Sequence, residues 1–129
     1  MSKGTERQEP FMITMSGNTN VLRVTKSSVR GLGQPNYLKL LVNDSYDEIV
    51  VTPCKAKEPM SFKVPEGMEK SGVGMRIVSK AFVYDVLKRN GYDLVHTHQF
   101  VGRYLNDQKN AIVFSLKRDA GGINSGDQK

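Results

Sequence analysis

Lys80, Tyr84 and Lys88 fall at i, i+4 and i+8, with Arg89 beside them. On a helix this spacing puts the three on one face, opposite an apolar stripe of Phe82, Val83, Val86 and Leu87. Two ammonium groups flanking an aromatic ring can hold phosphate and offer a base something to stack on or bond to. Arg76 and Arg103, on the expected flanking strands, extend this basic patch. Arg23, Lys26 and Arg30 make a second, smaller group at a strand–helix junction, with Lys26 and Arg30 one helical turn apart. The plainer reading of both groups is a solvated charged face.

His96 and His98 stand two apart on an expected strand and would share a face, which is a fragment of a metal site. Cys54 and Asp93 are the only further ligand types that suggest themselves, and a polar strand face explains the pair as well. Cys54 with either histidine is a formal nucleophile–base pair. It follows a strand directly, next to Pro53, with no glycine-rich nucleophile turn, so a buried structural cysteine fits better. Neither GxxxxGK[ST] nor GxGxxG occurs. Ser71-Gly72-Val73-Gly74 reads as a hinge, or alternatively as an anion nest. No paired carboxylates, triad or complete ligand set stands at a useful spacing. Neither catalysis nor a cofactor is therefore expected, and the metal fragment is a weak candidate.

Charge sharpens the basic patch. Nineteen Lys and Arg oppose thirteen Asp and Glu in 129 residues, net +6. Residues 75–118 carry eight basic residues against Asp85, Asp93 and Asp107, which is +5, while 20–53 and 54–74 carry +1 each. Such a bias favours an anionic partner: nucleic acid, a nucleotide or an acidic protein surface. Solubility alone is the competing explanation. No apolar run approaches the roughly 20 residues that span a bilayer. The N-terminal residues lack an apolar signal core, and one cysteine leaves no internal disulfide. A cytoplasmic protein without membrane contact is expected.

The elements that must position these residues follow from pattern. Residues 1–9 read as disordered and 119–129 as a flexible tail. Val21–Thr25 alternates as a half-buried strand. A short helix over 26–33 follows, closed by Gly33 and barred from continuing by Pro35. Tyr37–Val42 and Ile49–Pro53 make a hairpin about Asn43-Asp44. Residues 54–74 are a connector with an edge strand near Phe62. Met75–Ser79, a helix over 80–90 capped by Ser79 and stopped at Asn90-Gly91, and two strands within 94–116 form the second unit. Gly102 marks a bulge. The fold class expected is α+β: two small β-α-β-β units, 10–53 and 75–118, packed together with flexible termini. Leu41-Val42-Asn43-Asp44 and Tyr104-Leu105-Asn106-Asp107 are offset by 63 residues, as are Ile49-Val50-Val51 and Ile112-Val113-Phe114. An internal repeat with equal turns is one reading; two hairpins of a common type is the other. The first hairpin is apolar on both faces, so Tyr37, Leu41 and Val50 suggest an interface, most simply a homodimer.

Two resemblances bear on these residues. Arg23-Val24-Thr25, Lys26, Val29-Arg30, Leu32-Gly33 and a hairpin ending Ile49-Val50-Val51-Thr52-Pro53 resemble the AbrB-type swapped-hairpin transcription regulators, over about a quarter of the chain. The resemblance implies dimerisation by interleaved hairpins, with Arg23, Lys26 and Arg30 at the DNA-contacting positions. The whole layout is also similar to short uncharacterised phage and mobile-element proteins of Gram-positive bacteria, which implies a mobile-element context within a host cytoplasm. The function expected is a non-enzymatic, homodimeric, basic protein that binds nucleic acid in regulation. The alternative is a phage accessory, anti-defence protein that sequesters a nucleotide signal or inhibits a host protein.

Overall fold

The computed structural model describes residues 10–68 and 74–117. The expected disordered start at 1–9, the tail at 119–129 and most of the Ser71–Gly74 hinge lie outside these residues. The strands are β1 (Phe11–Ser16), β2 (Val21–Val24), β3 (Tyr37–Val42), β4 (Glu48–Cys54), β5 (Ser61–Lys63), β6 (Met75–Val78), β7 (Thr97–Tyr104) and β8 (Ile112–Ser115). Two helices, α1 (Lys26–Gly31) and α2 (Tyr84–Arg89), have six residues each.

All eight strands join one antiparallel sheet in the order β5-β3-β4-β8-β7-β1-β2-β6. It curls into a nearly closed barrel. The α+β reading with two β-α-β-β units is therefore wrong: the chain is mostly β, and neither unit closes on itself. β2 pairs with β1 and β6 rather than with the hairpin that follows it, and hairpin β3–β4 pairs with hairpin β7–β8 through β4 and β8. Local pattern could not reveal this, because alternation sets which side of a strand is apolar but not which strand lies beside it.

One side of every long strand faces a single core. Ile13, Met15, Leu22, Val24, Leu38, Leu40, Ile49, Ile112 and Phe114 are completely buried there. At about 1.5–3 kcal/mol for each such side chain, this core outweighs any contribution from surface contacts. Gly102 makes no bulge; it lies in regular register opposite Phe114. A Cβ there would lie 2.5–2.9 Å from the Phe114 ring and Ile112, so glycine is what lets that ring lie flat on β7. Across the seam between the edge strands, the rings of Phe62 and Phe82 meet edge-to-face at 6.4 Å.

The helices close the two ends of the barrel. At one end, Val29 and Leu32 of the α1 segment enter the core. The buried Ser28 hydroxyl accepts from the Met12 amide at 3.1 Å, and the Tyr104 hydroxyl donates to the Gly31 carbonyl at 2.8 Å. Six residues would not stay helical alone, so this packing holds them. Gly33 closes the helix with φ +84°, in the left-handed region. At the other end, the Ser79 hydroxyl accepts from Phe82 N at 3.2 Å, holding a turn that leads into α2. Phe82, Val83, Val86 and Leu87 are buried, and Asn90 donates to the Tyr46 carbonyl at 2.6 Å.

The two hairpins do not superimpose as equal turns. Val42 pairs with Ile49 in the first, whereas Tyr104 pairs with Ile112 in the second, with Leu105 already in the turn. The 63-residue offset thus slips by one position, and a one-residue slip reverses the faces. Leu41 is exposed, while its counterpart Tyr104 is half-buried against Phe11, with ring centres 4.9 Å apart.

Candidate functional site

The α2 end of the barrel carries Lys80, Tyr84, Lys88 and Arg89. Burial of Val83, Val86 and Leu87 turns the opposite face of α2 outward. The Lys80 and Lys88 ammoniums lie 5.4 and 5.8 Å from the centre of the Tyr84 ring, one on each side along the chain. Arg89 stacks its guanidinium at 4.1 Å on Tyr46, which the turn between β3 and β4 supplies. Asn43 shapes that turn: its Oδ1 accepts from the amides of Asp47 and Glu48 at 3.0 Å each. Tyr46, Asp85, Lys88 and Arg89 line an open cleft of about 470 Å³. Tyr46 had no signal in the sequence pointing to this site, because it sits in another hairpin and only the fold brings it to α2.

On the outer wall, Arg23 of β2 and Arg76 of β6 are direct cross-strand partners, and both are exposed. Arg23 lies one residue from the end of β2 that feeds α1, where Lys26 and Arg30 follow. Arg76 lies on the strand that leads up to Lys80. Lys80, Lys88 and Arg89 therefore stand at one end of the barrel and Lys26 and Arg30 at the other, while Arg76 of the first group and Arg23 of the second meet on the wall between them. Arg103 stands apart, on β7 opposite Val113, with β1 and β2 between it and β6. Among the described residues, no carboxylate lies within ion-pair distance of Arg23, Arg76, Lys80, Lys88, Arg89 or Arg103; the ion pairs there are Lys39–Glu58, Lys117–Asp47 and those of Asp93.

The expected interface residues are split. Leu41 and Val50 are cross-strand partners on the outer face, and Val113 continues their row, with Arg103 next across the sheet. Tyr37 is on the same side of β3, four residues away. There it lines a second cleft, of about 350 Å³, with Pro35, Lys63 and Pro65.

The histidines do not share a strand face, since β7 begins at Thr97 and His96 precedes it. Both turn back on Asp93. Its Oδ1 accepts from His96 N at 2.8 Å and Val95 N at 3.0 Å, and lies 3.1 Å from His96 Nδ1. His98 Nε2 lies 2.9 Å from the Asp93 carbonyl oxygen, and its ring packs at 4.9 Å on Tyr92. The His96 amide is the largest influence in holding the Asp93 carboxyl down at about 2; its partial burial pushes the other way, and the His96 ring and Val95 amide assist. Among the described residues, no three His, Cys, Asp or Glu side chains are grouped as a metal would need. Cys54 is buried at the opposite end of the strands from His96 and His98, so the nucleophile–base pair is not assembled. Burial pushes its thiol pKa up, and the Glu58 charge adds to this against Lys39.

Comparison with protein-family models, curated proteins and solved structures finds no match to this chain. Among the described residues, no helix is long and apolar enough to cross a membrane.

Proposed function

We propose that this chain is a non-enzymatic nucleic-acid-binding protein that holds a phosphate backbone along the β2–β6 wall. The observation that carries the reading is Arg23 facing Arg76. Like charges directly opposite one another weaken a sheet. Neither guanidinium has a carboxylate partner among the described residues to offset that. A phosphodiester between them would turn the repulsion into charge-assisted hydrogen bonds. Lys80, Tyr84 and Lys88 at one end and Lys26 and Arg30 at the other extend the track. The tyrosine between two ammoniums favours a single strand with unstacked bases. A regulatory role in a phage or mobile element, inside a host cytoplasm, belongs to the same proposal and rests on the resemblances above.

The test is fluorescence anisotropy with a labelled single-stranded oligonucleotide and the duplex of the same sequence, from about 50 to about 200 mM salt. Affinity should fall steeply with salt, and the Arg23→Gln/Arg76→Gln double variant should flatten the log–log slope by about two. A flat salt response, or no binding at micromolar protein, sinks the idea.

A second reading is favoured by the outer row of Leu41 and the half-buried Val50, because Leu41 is 42% exposed and Val101 on β7 is 62% exposed, with the buried Val113 filling the sheet between them. That row supports a homodimer. If sedimentation instead finds a strict monomer that binds no oligonucleotide, the same row favours the alternative of a host-protein inhibitor.

A further inference from the structure

We infer that the cleft between α2 and the β3–β4 turn is a base-reading subsite for guanine, the specificity element of the nucleic-acid binding proposed above, on which this inference rests. Asp85 stands three residues before Lys88 and four before Arg89, the spacings at which a helical carboxylate ordinarily meets a cation. Neither ion pair forms. Lys88 lies over Tyr84 at 5.8 Å and Arg89 over Tyr46 at 4.1 Å, so both cations are turned toward rings. The exposed carboxylate is left in the wall of the roughly 470 Å³ cleft, with no hydrogen-bond or ion-pair partner among the described residues.

This leaves three chemistries around one space. The guanidinium of Arg89, 4.1 Å over the Tyr46 ring centre, is a planar surface on which a base stacks. The Lys88 ammonium is a point charge for the phosphate of the same nucleotide. The Asp85 carboxylate only accepts hydrogen bonds. Guanine is the base whose Watson–Crick edge offers two adjacent donors, N1–H and N2–H, that a carboxylate can take together. Adenine and cytosine offer an amino group beside an acceptor nitrogen, which repels the second oxygen, and uracil offers a single N–H between carbonyls. A carboxylate beside a stacking platform therefore selects guanine, and an ammonium next to it makes a nucleotide the better ligand than a free base.

The experiment is a titration of the full chain with GMP, AMP, CMP and UMP, read from the amide shifts of Tyr46, Asp85 and Arg89 in heteronuclear NMR spectra. GMP should bind about tenfold more tightly than the other three, the value of a good bidentate pair. Asp85→Asn should abolish the preference while leaving weak binding of all four. Arg89→Ala should weaken all four alike, and its amide spectrum reports whether that variant remains folded. Equal affinities, a GMP preference that survives Asp85→Asn, or shifts that avoid these three amides would each overturn the inference. The broader proposal fails separately. If the oligonucleotide still binds with a salt slope dependent on Arg23 and Arg76 while no mononucleotide selectivity appears, only the guanine subsite is lost. If the oligonucleotide does not bind either, both fall.

Discussion

Replacing Arg76 by Gln should make the protein more stable and a poorer binder at the same time. The facing arginines set the sign of the first effect, and the proposed phosphate contact sets that of the second. Arg76 faces Arg23 directly across an antiparallel pair, and no carboxylate among the described residues offsets either charge. Two such charges about 6 Å apart in near-aqueous surroundings repel by about 0.7 kcal/mol, and screening at moderate salt reduces this. Measured like-charge cross-strand pairs fall at about 0.2–1 kcal/mol. Glutamine keeps most of the side chain's cover over β6 while removing the charge. A gain of about 0.5 kcal/mol is therefore expected, a rise in Tm of about 2 °C for a chain of this size, shrinking as salt is added. Binding should move the other way. Loss of one exposed phosphate contact costs about 1 kcal/mol, roughly fivefold in Kd, and lowers the salt slope by about one. The assays are thermal denaturation of the free protein at low and high salt and oligonucleotide anisotropy over the same range. Lys39→Gln is the control, because Lys39 is paired with Glu58 at 3.2 Å and stands on β3, which pairs with neither β2 nor β6. It should give no stability gain and little change in affinity. A Tm for Arg76→Gln that falls or stays put at low salt, together with unchanged affinity, would refute the reasoning, since the pair would then be neither repulsive nor functional.

Two further outcomes follow from the geometry. Gly102→Ala should destabilise by about 1–3 kcal/mol in chemical denaturation, because the new Cβ would press on the buried Phe114 ring and Ile112, and overpacking a full core is costly. The Asp93 carboxyl is lowered from 3.8 to about 2 in the folded chain, so its contribution is fully present above its unfolded value and is lost as pH falls through about 2. The loop 91–97 should accordingly hold its amide protection down to about pH 4 and lose it on further acidification, whereas Asp93→Asn should remove that pH dependence.

Much of the local design was legible in the chain. The Asn43-Asp44 turn, the edge strand at Phe62, the left-handed stops at Gly33 and Gly91 and the apolar stripe of α2 can all be read from neighbours in sequence. The helix expected over 80–90 starts only at Tyr84, so Lys80 reaches the Tyr84 ring from the preceding turn and only Tyr84 and Lys88 share a helical face. What misled was the likeness between the two hairpins. Equal spacing in sequence suggested two matching units, but the pairing of Tyr104 with Ile112 slips β7 by one residue, so its faces are reversed relative to β3 while β8 keeps those of β4. Gly102 misled too. It reads as a bulge from its type, and only the Phe114 ring lying against it shows why glycine is there.

By itself, then, the sequence determined which side of each strand and helix is apolar, where each element stops, and that excess positive charge gathers after residue 75. These properties depend on backbone geometry within a few residues. Only the tertiary structure decided that β2 lies beside β6 and β1 beside β7, that Arg23 therefore faces Arg76, and that Tyr46 comes to stack on Arg89. A strand's hydrogen-bonding edge is chemically much the same all along the chain, so its partner is chosen by how the whole apolar surface closes into one core. The same closure separates Cys54 from the two histidines and Lys80, Lys88 and Arg89 from Lys26 and Arg30.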